Sequence, residues 1–451
     1  MDEVISASKK YYSRFPNELW FICTAVGLGF VFDFSIGFYR FRLVDLVFVW
    51  SVLYFIKLSW QRHIEKKVQW LILLTICFIV VRLLIDYSIS YRTDSLRVLL
   101  GMSFTFLTPI IYFVVRESRI DNKIVFRLLM IGCLISLLSQ MGLLRWGEKE
   151  LAGYVDLSRY INANKFQSPD LDYQERTITV WRAFSIGIAF AILFAKTKTI
   201  YKIISSIWLL LQIAGGGGSR GTFLYVLVAP IFILLLKRDN SMFGKKVFFS
   251  LLIGVLLATI YLWAPFGEKL AEKDNYSKTH IERATEISIL FSEGWSGAER
   301  TGGFNARTQS YSEYIYRIFS SSEIFLWGVG ESKGAAFAYV TNKQAHNMFL
   351  DIWGRSGIFG LFLFIIVNVF IISDLIKLLQ ASTISTKDKI NVLAVAMALL
   401  YFYQPLMFQP VTSDRTFMIV FFLTAGLLKP LRRWVNGEFQ QQQNLQIQFQ
   451  K

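Results

Sequence analysis

The sequence predicts an all-α polytopic membrane protein of about twelve transmembrane helices, with a long extracytoplasmic loop between helices 9 and 10. Three observations carry that expectation. The chain is 54% hydrophobic and 18% charged, where soluble domains carry about a quarter of charged residues. Its apolar residues fall into runs near the ~20 residues that a bilayer core requires of a helix. Lys and Arg gather at alternate ends of those runs, which is the positive-inside pattern.

In chain order the predicted spans are 18–39, 43–60, 68–89, 97–115, 124–144, 178–195, 200–214, 221–236, 247–265, 357–376, 390–410 and 416–431. No long amphipathic alternation of period two occurs, which argues against a β-barrel. The N-terminal stretch has no cleavable signal pattern, so the first span is expected to act as an uncleaved insertion signal. With the N-terminus in the cytoplasm, the inner loops hold Arg62, Lys66 and Lys67; Arg116, Arg119 and Lys123; Lys196, Lys198 and Lys202; Lys237, Arg238, Lys245 and Lys246; Lys377, Lys387 and Lys389. The tail adds Lys429, Arg432 and Arg433, while the opposite loops hold Arg40, Arg42, Arg92, Arg97, Arg220 and Arg415. Both termini are therefore expected in the cytoplasm. The net charge of +16 is accounted for by this frame better than by nucleic-acid binding. Cys23, Cys77 and Cys133 lie inside apolar spans, and their separation predicts neither a disulfide framework nor a metal site.

The expected organisation is helices 1–5 over 1–144, a first outer loop over 145–177 and helices 6–9 over 178–265. A large outer loop follows over 266–356, then helices 10–12 over 357–433 and a polar, disordered cytoplasmic tail over 434–451. The large loop shows helical patterning in SKTHIERATEISILFSEG and NARTQSYSEYIYRIFSSS. A long structured loop on one face of a bundle is where function concentrates.

Two segments are not explained by the membrane frame. GGGGSRG, residues 215–221, presents Arg220 from a glycine-rich break between two spans at the outer surface. A guanidinium fork there suits a phosphate or pyrophosphate; the alternative is a tight turn with an interfacial Arg. AHNMFLDIWGRSGIFG, residues 345–360, leads from the large loop into a span. His346 could act there as a general base near neutral pH; the alternative is a polar His346–Asn347 pair that caps a helix. Gly357 and Gly360 are spaced for close helix packing. Arg82 and Asp86 lie one turn apart inside the third span and either serve a function there or pair with each other. Arg176 and Arg182 border the outer end of the sixth span and Arg307 lies in the large loop, where each could add to an anion site or simply snorkel. Arg182 and Arg307 rank first among them. An anion binder and a proton acceptor on one outer face point to transfer of a group from a phosphate leaving group, with a lipid-linked donor.

Ser219-Arg220-Gly221-Thr222-Phe223-Leu224 resembles the SRG segment of the O-antigen ligase and Wzy-type polymerase superfamily of bacterial surface-polysaccharide assembly. His346-Asn347, nine residues, then Gly357-x-x-Gly360 resembles its HN-x9-GxxG spacing, and Arg307 with Trp327-Gly328-Val329-Gly330 resembles the run between them. The likeness covers about residues 176–376. Arg355 stands where the family often has an acidic residue, and RAFSIGIAF replaces an Asn-Pro-Asn-like stretch near the sixth helix.

The resemblance implies a metal-independent glycosyltransferase without cofactor, in the bacterial inner membrane, using undecaprenyl-pyrophosphate-linked glycans. Arg220 would hold the pyrophosphate and His346 would take the proton from the attacking hydroxyl. Arg307, Arg182, Ser219 and Asn347 would contact substrate. The acceptor would be a second lipid-linked repeat unit in a polymerase or lipid A-core in a ligase, with a chain-length regulator protein as a partner and no nucleic acid. A polysaccharide transporter or flippase is the reading from another class.

Overall fold

The computed structural model describes residues 33–36, 39–90, 95–118, 120, 122–140, 170–195, 197–215, 225, 302–330, 347–381, 388–408 and 415–436. The span expected at 247–265, all of that at 221–236 but Tyr225, most of the span at 18–39, the helical stretch at 277–294 and the tail from 437 lie outside these residues, so neither the count of twelve nor the place of the large loop between helices 9 and 10 is tested.

The described chain is helical apart from one hairpin. Strands β1 (Asp33–Ile36) and β2 (Tyr39–Arg42) pair antiparallel, with Asp33 opposite Arg42 and Ile36 opposite Tyr39. The hairpin replaces the last part of the helix expected over 18–39; aromatic and β-branched residues at alternate positions favour paired strands there. The helices that follow are α1 (Leu43–Trp60), α2 (Lys66–Ser90), α3 (Ser95–Leu107), α4 (Pro109–Glu117), α5 (Asn122–Gln140), α6 (Asp170–Phe194) and α7 (Thr199–Gly215). After the gap come α8 (Gly302–Ser320), α9 (Ser322–Trp327), α10 (Met348–Leu379), α11 (Asp388–Phe408), α12 (Arg415–Gly426) and α13 (Leu428–Val435).

Most differences from the expected boundaries have local causes. The span at 97–115 is two helices, because Pro109 lacks the donor that would continue the first. The span at 416–431 likewise divides at Leu427. Helix α6 begins inside the expected loop 145–177, where Asp170 and Asp172 suit a helix N-terminus. Helix α10 begins nine residues ahead of the expected span because Asn347 caps it.

Among the described residues, α2 and α10 are long and apolar enough to cross a membrane; Arg182–Phe194, Thr199–Leu209 and Ile390–Gln404 are shorter apolar stretches. The outward faces are also apolar: Leu53, Trp70, Leu84, Phe362 and Val369 are each more than half exposed. A helix that is apolar on all sides belongs in lipid or in a protein interior.

Helices α6 and α11 pack closely against each other. Ala183, Gly187 and Ala191 recur along α6 at intervals of four, and Gly187 meets Ala394 and Ala398. A Cβ at Gly187 would lie 2.4 Å from the Ala394 carbonyl oxygen, so the backbones touch. Small residues at such spacing are how helices associate where lipid removes the hydrophobic drive. Tyr225 joins this pair: its hydroxyl donates to the Met397 carbonyl, and its ring meets Phe190 and Tyr401 edge-on.

One end of the bundle is ionic. Arg116 Nε lies 2.7 Å from Asp374 Oδ2, and the Tyr112 hydroxyl donates to the same oxygen at 2.8 Å. Glu117 accepts from Arg116, Lys429 and Arg433. Glu65 lies 2.8 Å from Lys67, 3.4 Å from Arg116 and 3.6 Å from Lys429. The hydrogen bond from Lys67, with Arg116 and Lys429 adding, holds the Glu65 carboxyl down at about 2 against the opposing effect of burial. This network ties the loop before α2 to α4, α10 and α13. It sits at the basic end, with Arg62, Lys66 and Lys377 nearby in sequence.

Candidate active site

Helix α10 runs from Met348 at one end of the bundle to Asp374 at the ionic end. It is not continuous. Gly357 has φ 69° and ψ −173°, a conformation essentially confined to glycine. The kink separates a short first segment, 348–356, from the membrane-length segment that follows.

Asn347 starts the first segment. Its Oδ1 accepts from the backbone N–H groups of Phe349 at 2.9 Å and Leu350 at 3.1 Å. That satisfies two of the donors a helix leaves unpaired at its start. The capping alternative raised for Asn347 is therefore the role its oxygen has. Asp351 and Arg355, one turn apart, pair with Nε to Oδ1 at 3.0 Å, and Asp351 is buried. Arg355, the residue that departs from the family pattern, is thus neutralised within its own helix.

The glycine-rich run before the HN motif docks on this segment. Ser321 caps α9, and the helix ends at Gly328, with φ 73° and ψ 179°. The next two residues pair with the kinked turn of α10: Val329 N–H donates to the Gly354 carbonyl at 2.8 Å and Gly330 N–H to the Arg355 carbonyl at 3.0 Å. The contact depends on two missing side chains. A Cβ at Gly357 would lie 2.0 Å from the Leu326 carbonyl oxygen, and one at Gly328 would lie 2.4 Å from the Arg355 carbonyl oxygen. Gly360 behaves as the GxxG spacing predicts and faces the rings of Phe106 and Phe78. Gly357 instead makes the kink and admits the loop backbone.

A small core holds α8 and α9 to the same place. Tyr314 and Ile318 are buried against Ile324, Phe325, Val329, Leu350 and Trp353. Phe319, Phe325 and Trp353 meet with ring centroids 5.4–5.5 Å apart, and the Trp353 indole N–H donates to the Phe325 carbonyl at 3.3 Å. The helical pattern expected over 305–322 is therefore α8 and the start of α9.

The predicted site residues fall as follows. Asn347 caps α10. Arg307 is on α8, in the unit that packs on α10, and only its backbone is described. Arg182 is half-buried on α6, which packs against α5, α7, α11 and α12. Arg220, Ser219 and His346 lie outside the described residues; His346 directly precedes the cap, and Tyr225 follows Arg220 by five positions. Arg82 is buried on α2 and points its Nη2 at the Gly328 carbonyl, 3.4 Å away, while the side chain of Asp86, its expected one-turn neighbour, lies outside the described residues. The order of residues along the chain gives no signal for that contact.

Residues 205–365 match the family model Wzy_C, described as O-antigen ligase. This stretch is a domain of the O-antigen ligase/Wzy superfamily. The match begins on α7, ahead of Ser219 and Arg220, and ends in α10 just beyond Gly360. It therefore spans the SRG segment, α8, the interlocked glycines and the HN motif. Members of the Wzy_C family are membrane glycosyl-transferring enzymes, and the match supports a role in polysaccharide assembly. No curated protein matches the sequence.

Proposed function

We propose that the chain transfers a glycan from an undecaprenyl-pyrophosphate carrier to a sugar hydroxyl, as a polymerase of lipid-linked repeat units of an O-antigen, capsule or exopolysaccharide. The observation that carries this is the docking of the Trp327–Gly330 run on the helix that Asn347 caps, inside the segment matched by the family. Asn347, which follows His346 in sequence, caps the short helix on which that run docks. In this reading His346 removes the proton from the acceptor hydroxyl as the anomeric C–O bond to the pyrophosphate breaks. Arg220 holds the departing pyrophosphate and stabilises the charge that develops on it. Arg307, Arg182, Ser219 and Asn347 contact the substrates, and no metal takes part.

The ionic, basic end opposite the motif end supports cytoplasmic termini and a site at the outer face of the inner membrane. Replacing Arg220 by Lys is expected to lower turnover roughly 10- to 100-fold, because a point ammonium replaces a bidentate fork. Transfer in isolated membranes measures it, and near-normal turnover would count against pyrophosphate binding by that residue.

The description of the matched family favours a second reading, ligation of the glycan to lipid A-core. A deletion strain separates the two. Lipopolysaccharide bearing a single repeat unit is the outcome for a polymerase. Long polymer left on the lipid carrier is the outcome for a ligase. A flippase would instead leave lipid-linked repeat units on the inner leaflet.

A further inference from the structure

We propose that Arg82 is a positioning residue: it holds the interlocked loop and helix of the motif end against a membrane span, and through them sets where the HN motif stands. This rests on the reading of His346 as the base. An Arg inside a span is costly and is kept for a reason. Arg82 is 2% exposed and reaches a partner 246 positions away, the Gly328 carbonyl. That carbonyl belongs to the residue where α9 ends and the loop turns toward α10. A backbone oxygen withdrawn from water needs a donor, and the guanidinium supplies one with charge.

The geometry downstream transmits the restraint. Leu326 and Arg355 meet the two glycines through backbone atoms, with no side chain between that could yield. The two hydrogen bonds from Val329 and Gly330 then fix the register of the loop on residues 354 and 355. Asn347 lies at the far end of the same short segment, ten positions before the kink. A shift at Gly328 therefore becomes a tilt of the segment that Asn347 caps, which His346 directly precedes in sequence. Displacement of a catalytic group by about 1 Å can cost on the order of 100-fold in rate.

The test uses full-length protein in membranes. Arg82→Met keeps chain length and removes the donor. Its kcat is expected to fall tenfold or more while the KM for the lipid-linked donor stays within about twofold. Arg82→Lys is expected to recover most of the loss, because one carbonyl needs one donor; this is the opposite of the result expected at Arg220. A raised KM with unchanged kcat would overturn the proposal, since it would mean that Arg82 touches the donor substrate. So would equal losses for Lys and Met. A double-mutant cycle of Arg82→Met with Gly328→Ala, read on the unfolding midpoint of the detergent-solubilised protein, does not depend on the reaction. Clear non-additivity supports the contact, and additive shifts overturn it. Full activity of His346→Ala would remove the proposed reaction but leave that cycle readable, so the two failures are distinguishable.

Discussion

Replacing His346 by Ala is expected to lower glycan transfer by roughly 10²- to 10⁴-fold, the usual contribution of a positioned general base. Protein abundance in the membrane should not change. The position directly precedes the cap of α10, and Asn347 Oδ1 makes that cap. The folded segment therefore keeps its own start when the imidazole is lost. The measurement is turnover of a lipid-linked donor by membranes with equal amounts of each variant, with translocation of repeat units followed in parallel. Loss of transfer with intact translocation is the expected pattern. Full transfer by the Ala variant would exclude His346 as the base.

Gly357→Ala is the second large effect, and its origin is structural. A residue with a side chain is strained at φ 69°. The added methyl would also stand 2.0 Å from the Leu326 carbonyl oxygen, and backbone on both sides leaves nothing flexible to move. Strain and collision together are expected to cost about 3 kcal/mol or more, lowering the unfolding midpoint by several degrees. The loop would be forced off α10, so transfer should fall as well. A midpoint within a degree of the parent, with normal transfer, would show that the kink is not needed.

The helices were largely legible because their signal is local. Residues 43–60 form α1 as read, and the spans at 68–89, 124–144, 200–214 and 390–410 each correspond to one helix. Their apolar runs are long and their ends are marked by charge. The errors fall where one residue overrides hydropathy: Pro109 divides a run, and Asn347 starts a helix inside a stretch read as loop. The candidate site reads in the sequence as spacing, not as shape. GxxG reads as helix packing, and Gly360 fits that reading, yet Gly357 takes its conformation from Leu326 and Trp327, about thirty positions earlier. The contact from Arg82 to Gly328 crosses from a span to the loop, 246 positions away in sequence. Contacts of that kind are made by tertiary structure and leave no periodicity to read.

The seam between α6 and α11 has a further consequence. At Gly187 two backbones are in contact, and no acyl chain fits between them. The spacing of that pair is thus independent of which lipids surround the protein. If the bilayer thickens or thins, the pair tilts as one body and takes Arg182 and Tyr225 with it. Sensitivity to lipid composition would then enter through the other helices, and least through those two residues.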